Sequence, residues 1–203
     1  KAIANIYDIW QKTKDKKSTQ LVFLDLSVPK SKADFEVEEE TALSESEEAQ
    51  ENIIIYKEIK KKLISLGVPA EEIAFVHEFN TNAKKKQLND AMNEGRIRIL
   101  IGSTGKMGLG LNIQRKLIAL HHLDCTWRPD ELEQREGRIL RQGNENEEVE
   151  IFVYGTERSF DTMRWNKVAQ KARFIRQALV AGDDIRQMED IDEVVLSYEE
   201  AKA

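Results

Sequence analysis

The sequence predicts an α/β fold, a parallel sheet with helices on both of its faces. Short, near-continuously apolar runs recur along the chain, segments with helical spacing separate them, and glycine or proline punctuates the junctions. A strand buried on both faces has no polar side to show. That is why its residues run apolar instead of alternating.

Ile3, Ile6, Tyr7 and Trp10 fall at helical spacing and predict an amphipathic opening helix within residues 1–19. QLVFLDL, Gln20 to Leu26, is the first strand, stopped by Pro29. Ser44 and Glu47 have capping-box spacing, and Ile55, Ile59, Leu63 and Leu66 follow along one helical face until Gly67 and Pro69. The second strand is Ile73 to His77, followed by a helix over Ala83 to Asn93 and a third strand over Ile97 to Gly102. Leu117 to Leu123 and Val149 to Gly155 are the fourth and fifth. Phe160, Trp165, Val168, Ala172, Ile175 and Leu179 then mark a helix that Gly182 closes. The acidic end of the chain carries a stripe of Ile185, Met188, Ile191, Val194 and Val195, expected as a helical appendage that docks on the domain or on a neighbour. The expected organisation is an opening helix at 1–19, an α/β lobe at 20–155 and a helical extension at 156–203.

With 203 residues, 40% hydrophobic and 33% charged, the composition excludes collagen, a coiled coil and a wholly disordered tail. No run of eighteen apolar residues occurs, so no membrane-spanning helix is expected. The chain opens at Lys1 without a leader, from which a piece of a longer polypeptide is expected. A single cysteine, Cys125, makes no intramolecular disulfide, which fits a reducing cytoplasm. The net charge of −6 is concentrated: residues 34–51 hold nine acidic residues and no Lys or Arg, so the remainder carries +3. Such a remainder permits a nucleic-acid surface. The acidic run itself reads as a solvated loop passing into a helix.

Three stretches could carry chemistry. In IGSTGKMGLGLNIQ, Ile101 to Gln114, four glycines crowd a strand-to-helix connection, where backbone N–H groups can approach an anion. The stretch is not a P-loop, because Leu100 stands where the first Gly is required and Met107 where Ser or Thr is required. A turn serving geometry alone remains the alternative. In QREGRILR, Gln134 to Arg141, a helix is expected to start at Pro129 and Asp130 and to project Arg138 and Arg141 from one face. Two guanidinium groups so placed suit phosphate oxygens; pairing with Glu131, Glu133 or Glu136 on a solvated helix is the other reading. HHLDC, His121 to Cys125, suggests a metal site, but consecutive strand residues point to opposite faces and the spacing matches no zinc arrangement. No metal is expected.

QLVFLDL, STGKMGLGLN and QREGRILR resemble, in order, motifs IV, V and VI of the second RecA-like lobe of superfamily-two helicases. HLDCTWRPDELEQREGR is similar to the corresponding run in Swi/Snf-type DNA-dependent ATPases, and the resemblance covers about Gln20 to Ile175. IRILIGSTGKMGLGLNIQRKLIALHHLDCTWRPDELEQREGRILRQGN and LSYEEAKA further resemble the helicase segment of large phage- and mobile-element-borne proteins that also carry an adenine DNA methyltransferase. The resemblance implies the second lobe of a P-loop NTPase-type motor, working on ATP with Mg2+ held mainly by a first lobe. It implies Arg138 and Arg141 as arginine fingers, with Gln134 near the nucleotide and Gly137 permitting close approach. Gly108, Gly110 and Asn112 match motif V positions linked to nucleotide, although the family often has Asp where Asn112 stands. An amide still bonds a ribose hydroxyl but carries no charge. Ser103 and Thr104 match residues that touch a nucleic-acid phosphate, with Lys106 assisting.

The function this implies is one motor lobe of a DNA-stimulated ATPase that translocates on duplex DNA, inactive as an isolated chain. A non-catalytic DNA-binding or scaffold module of the same fold is the alternative. A dinucleotide enzyme would want G-x-G-x-x-G after the first strand, where this chain has SVPKSK.

Overall fold

A computed structural model describes residues 1–25, 47–107, 110–126, 128–155 and 160–180. Most of the acidic run, Gly108 and the apolar stripe after residue 181 lie outside the described residues. The chain divides into two compact units, Lys1–Asp124 with Gln134–Tyr154, and Cys125–Glu133 with Gly155–Ala203.

The first unit holds a five-stranded, wholly parallel sheet in the order β2-β3-β1-β4-β5. Its strands are β1 (Thr19–Phe23), β2 (Ile73–Phe75), β3 (Ile99–Gly102), β4 (Leu117–His122) and β5 (Glu150–Val153). The central β1 pairs Gln20 with Ile99 on one side and with Ala119 on the other. Successive side chains leave a strand on opposite faces, and the core divides accordingly. Leu21, Phe23, Leu100 and Leu120 pack with Leu88 and Met92 of α3 (Asn82–Glu94). Val22, Leu24, Ile99 and Ile101 pack with Ile6 and Trp10 of α1 (Ala2–Lys12) and with Tyr56, Ile59 and Leu63 of α2 (Glu47–Ser65). The fold is the expected RecA-like α/β architecture.

Several boundaries differ from the sequence expectation for local reasons. β1 ends at Phe23, not Leu26, because Asp25 N–H donates to the Asp124 carboxylate and leaves the ladder. β2 stops at Phe75 and a 3-10 turn takes Val76–Glu78, where the Glu78 carboxylate accepts from Phe75 N–H at 3.2 Å. β5 is an edge strand, and its Ile151 and Val153 are exposed instead of buried. α1 is fixed at its carboxyl end by Arg98, 2% exposed, whose Nη2 donates to Trp10 O at 2.7 Å and to Thr13 Oγ1 at 2.9 Å. A cation at that end also complements the helix dipole. α3 starts at Thr81, whose hydroxyl accepts from Lys84 N–H, and closes at Gly95 with φ +76°; a Cβ there would lie 2.5 Å from Lys17 O.

The second unit contributes α6 (Phe160–Val180), whose Arg164 donates from Nη2 to Cys125 O at 3.1 Å. No helix among the described residues is long and apolar enough to cross a membrane.

Candidate functional site

The connection from β3 to β4 is short. Among its described residues it contains one helix, α4 (Thr104–Met107), and an irregular segment from Gly110 to Lys116. Leu111 and Ile113 of that segment are buried in the core, leaving Gly110 exposed before them and Asn112 exposed between them. A second irregular segment follows α5 (Pro129–Glu136). The helix ends at Glu136, so Arg138 and Arg141 stand on turns beyond it and not on a helical face as the spacing predicted. Between them Ile139, 1% exposed, plugs into the core and anchors the turn. Asn144 fixes its far end, donating from Nδ2 to Leu117 O at 2.7 Å and to Ile139 O at 3.1 Å.

These two segments face each other across an open depression of about 740 Å³, lined by Gly110, Leu111, Asn112, Gln134, Gly137, Arg138 and Arg141. Six residues marked by the sequence therefore share one site: Gln134, Gly137, Arg138 and Arg141 with Gly110 and Asn112. Burial pushes the Arg138 guanidinium below its ordinary value, and the neighbouring Arg141 cation pushes the same way. Two cations held this close favour an anion between or beside them. Among the described residues the lining has no carboxylate. That donor set fits phosphate oxygens and offers no hard anionic ligand to a magnesium ion.

Ser103, Thr104 and Lys106 lie elsewhere. Ser103 and Thr104 are buried at the end of β3 and the start of α4, whereas Lys106 is exposed. The Thr104 hydroxyl donates to Asp25 Oδ2 at 2.7 Å and accepts from Arg135 Nε at 2.7 Å, while its N–H donates to Asp25 Oδ1 at 2.6 Å. Ser103 Oγ accepts from Lys106 N–H at 3.4 Å. Gly108 lies outside the described residues.

Arg135, absent from the sequence-level reading, is the hub of this second cluster. Fully buried, it donates to Asp25 Oδ2 at 2.6 Å, Asp124 Oδ1 at 3.2 Å and His122 Nδ1 at 3.2 Å, and lies 4.9 Å from the Phe23 ring centroid. It ties together the carboxyl ends of β1, β3 and β4. His122 accepts from a cation that cannot accept in return, and burial holds its pKa down to about 3. His121 is bonded at both ring nitrogens, to Tyr154 Oη and Gln20 Oε1 at 3.0 Å each, and burial lowers its pKa to about 3. Among the described residues no group of three or more His, Cys, Asp or Glu could hold a metal ion.

Residues 36–143 match the model of the helicase conserved C-terminal domain. The chain belongs to this helicase C-terminal domain family. It is 34% identical over 99 residues to Defense against restriction protein B of Escherichia phage P1, a match covering 49% of this chain and 4% of that protein. Among solved structures it is similar to the C-terminal part of the Fun30 ATPase domain, with a TM-score of 0.55 and 18% identity over 82% of this chain and 44% of that one. It is also similar to the DUF1998 helicase MrfA bound to DNA, with a TM-score of 0.51 and 14% identity over 87% of this chain and 21% of that one. At those identities the structures establish the shared fold.

Proposed function

We propose that this chain is the second motor lobe of a Swi/Snf-type, DNA-dependent ATPase that moves on duplex DNA, in a polypeptide of the mobile-element methyltransferase–helicase kind. ATP with Mg2+ would be held chiefly by a first RecA-like lobe. The observation that carries the reading is the convergence of Gln134, Gly137, Arg138 and Arg141 with Gly110 and Asn112 on one open, cationic depression whose described lining has no carboxylate. Phosphoryl transfer asks a protein mainly to position groups and to stabilise charge on the departing phosphates. Arg138 and Arg141 supply that charge from a turn that Ile139 and Asn144 hold rigid. Gln134 and Asn112 supply neutral hydrogen-bonding groups at the same depression, and Gly137 leaves room for close approach. The likeness to a helicase bound to DNA supports a DNA partner, gripped at its phosphates without reading of sequence.

The test is Arg141→Ala in the full-length polypeptide. DNA binding should stay within about twofold while ATP turnover falls by about three to five orders of magnitude. Unchanged turnover would remove the finger role and leave a non-catalytic module of the same fold.

A further inference from the structure

A crossover segment without regular structure leaves its backbone N–H and C=O groups in need of partners. Here they come from α3. Asn89 accepts from Asn112 N–H at 3.0 Å and donates from Nδ2 to Gly110 O at 3.2 Å. One turn later Asn93 donates from Nδ2 to Asn112 O at 2.7 Å and accepts from Arg115 N–H at 3.2 Å. Residues four apart share a helix face, so the two amides stand in for a neighbouring strand. Both peptide groups flanking the Asn112 Cα are taken, which fixes where its exposed side chain enters the depression. The grip continues past the loop: Arg115 O accepts from Glu145 N–H at 2.8 Å, and Arg115 Nε donates to Glu145 Oε1 at 2.5 Å. Glu145 immediately follows Asn144, the anchor of the Arg138–Arg141 turn.

We propose that Asn89 and Asn93 are positioning residues that clamp the Gly110–Arg115 segment and so set the nucleotide affinity of the depression. The proposal rests on the nucleotide reading above. Neither side chain lines the depression; each acts through the backbone that does.

The experiment compares Asn89→Ala, Asn93→Ala and Arg141→Ala in the full-length polypeptide, using ATP and duplex DNA. Alanine is the better helix former, so α3 should persist in both asparagine variants. Loss of two hydrogen bonds should raise KM for ATP about tenfold while kcat stays within about threefold. A fall in kcat at unchanged KM would mean only fewer folded molecules and would overturn the clamp. Combining Asn89→Ala with Asn112→Ala should raise KM no further than Asn112→Ala alone; additive effects would count against action through Asn112. Hydrogen exchange gives a second readout independent of turnover: the amides of Asn112 and Arg115 should exchange about tenfold faster or more in the matching variant, and unchanged exchange would overturn the proposal. If Arg141→Ala collapses turnover while both asparagine variants keep the parental KM, the clamp alone is wrong. If Arg141→Ala changes nothing, the nucleotide reading falls and the clamp falls with it.

Discussion

Three arginines occur within seven residues of one motif, and only their surroundings separate them. Arg141 is exposed at the depression, Arg138 is half-buried beside it, and Arg135 is sealed among Asp25, Asp124, Thr104 and His122. Arg135→Ala would remove the guanidinium that pairs with the Asp124 carboxylate, whose side chain is 1% exposed. Breaking a buried pair from one side costs about 3–5 kcal/mol, far more than removal of an exposed one. Urea unfolding of Arg135→Ala should show that loss, with Arg141→Ala within about 0.5 kcal/mol of the parent; equal, small effects would contradict the hub. The spacing of Gln134, Gly137, Arg138 and Arg141 was readable in the sequence because a helicase motif is defined by residue type and interval. The role of Arg135 was not, since nothing local records that a side chain points into a core assembled from β1, β3 and β4. Asn89 and Asn93 did leave a trace, two poor helix formers four apart, one inside the helix and one in its last turn. It becomes informative only once the segment they hold is known.

Among the elements, the β3–β4 connection shows how glycines that look alike in the sequence divide by packing. Gly102 ends β3 where an added Cβ would lie 2.2 Å from Val76 Cγ1 and 2.9 Å from Met107 Cε. Gly105, in α4, has nothing within 4 Å of the same position. Gly102→Ala should therefore destabilise by about 1–3 kcal/mol through overpacking, whereas Gly105→Ala should be neutral or stabilising by up to about 1 kcal/mol. Thermal unfolding of the two variants checks the pair, and a reversed order would mean that Val76 does not abut β3. The strands were legible as apolar runs, and their centres sit where the runs predicted. Their ends were not, because the Asp124 carboxylate takes the Asp25 N–H that would continue the β1 ladder, and a 3-10 turn over Val76–Glu78 closes β2. The arginine-bearing turn was misread as helix for a related reason: the anchors at Ile139 and Asn144 reach a core and a strand start distant in sequence.

At the scale of the whole molecule, the fold class followed from apolar runs alternating with helical spacing, whereas the protonation behaviour depends on where the chain's three histidines end up. His77, His121 and His122 are 7%, 0% and 0% exposed, and burial lowers their pKa values to about 4, 3 and 3. His77 also feels the cation of Lys106, and His122 that of Arg135, and both favour the neutral ring. The unfolded chain binds these protons near pH 6.5 and the folded chain does not. Each histidine thus contributes stability that is present above the unfolded pKa and is lost as pH falls toward the folded one. From pH 7 to pH 5 the loss is at most about 2 kcal/mol per histidine, in the same direction for all three. Urea midpoints measured at pH 7, 6 and 5.5, above the carboxylate range, should fall steadily. His121→Gln should flatten the slope by about a third, since Gln20 and Tyr154 can still bond an amide while the titrating ring is gone. A flat profile in the parent chain would mean that protons reach these rings in the folded state, and that the sheet ends are open to water there.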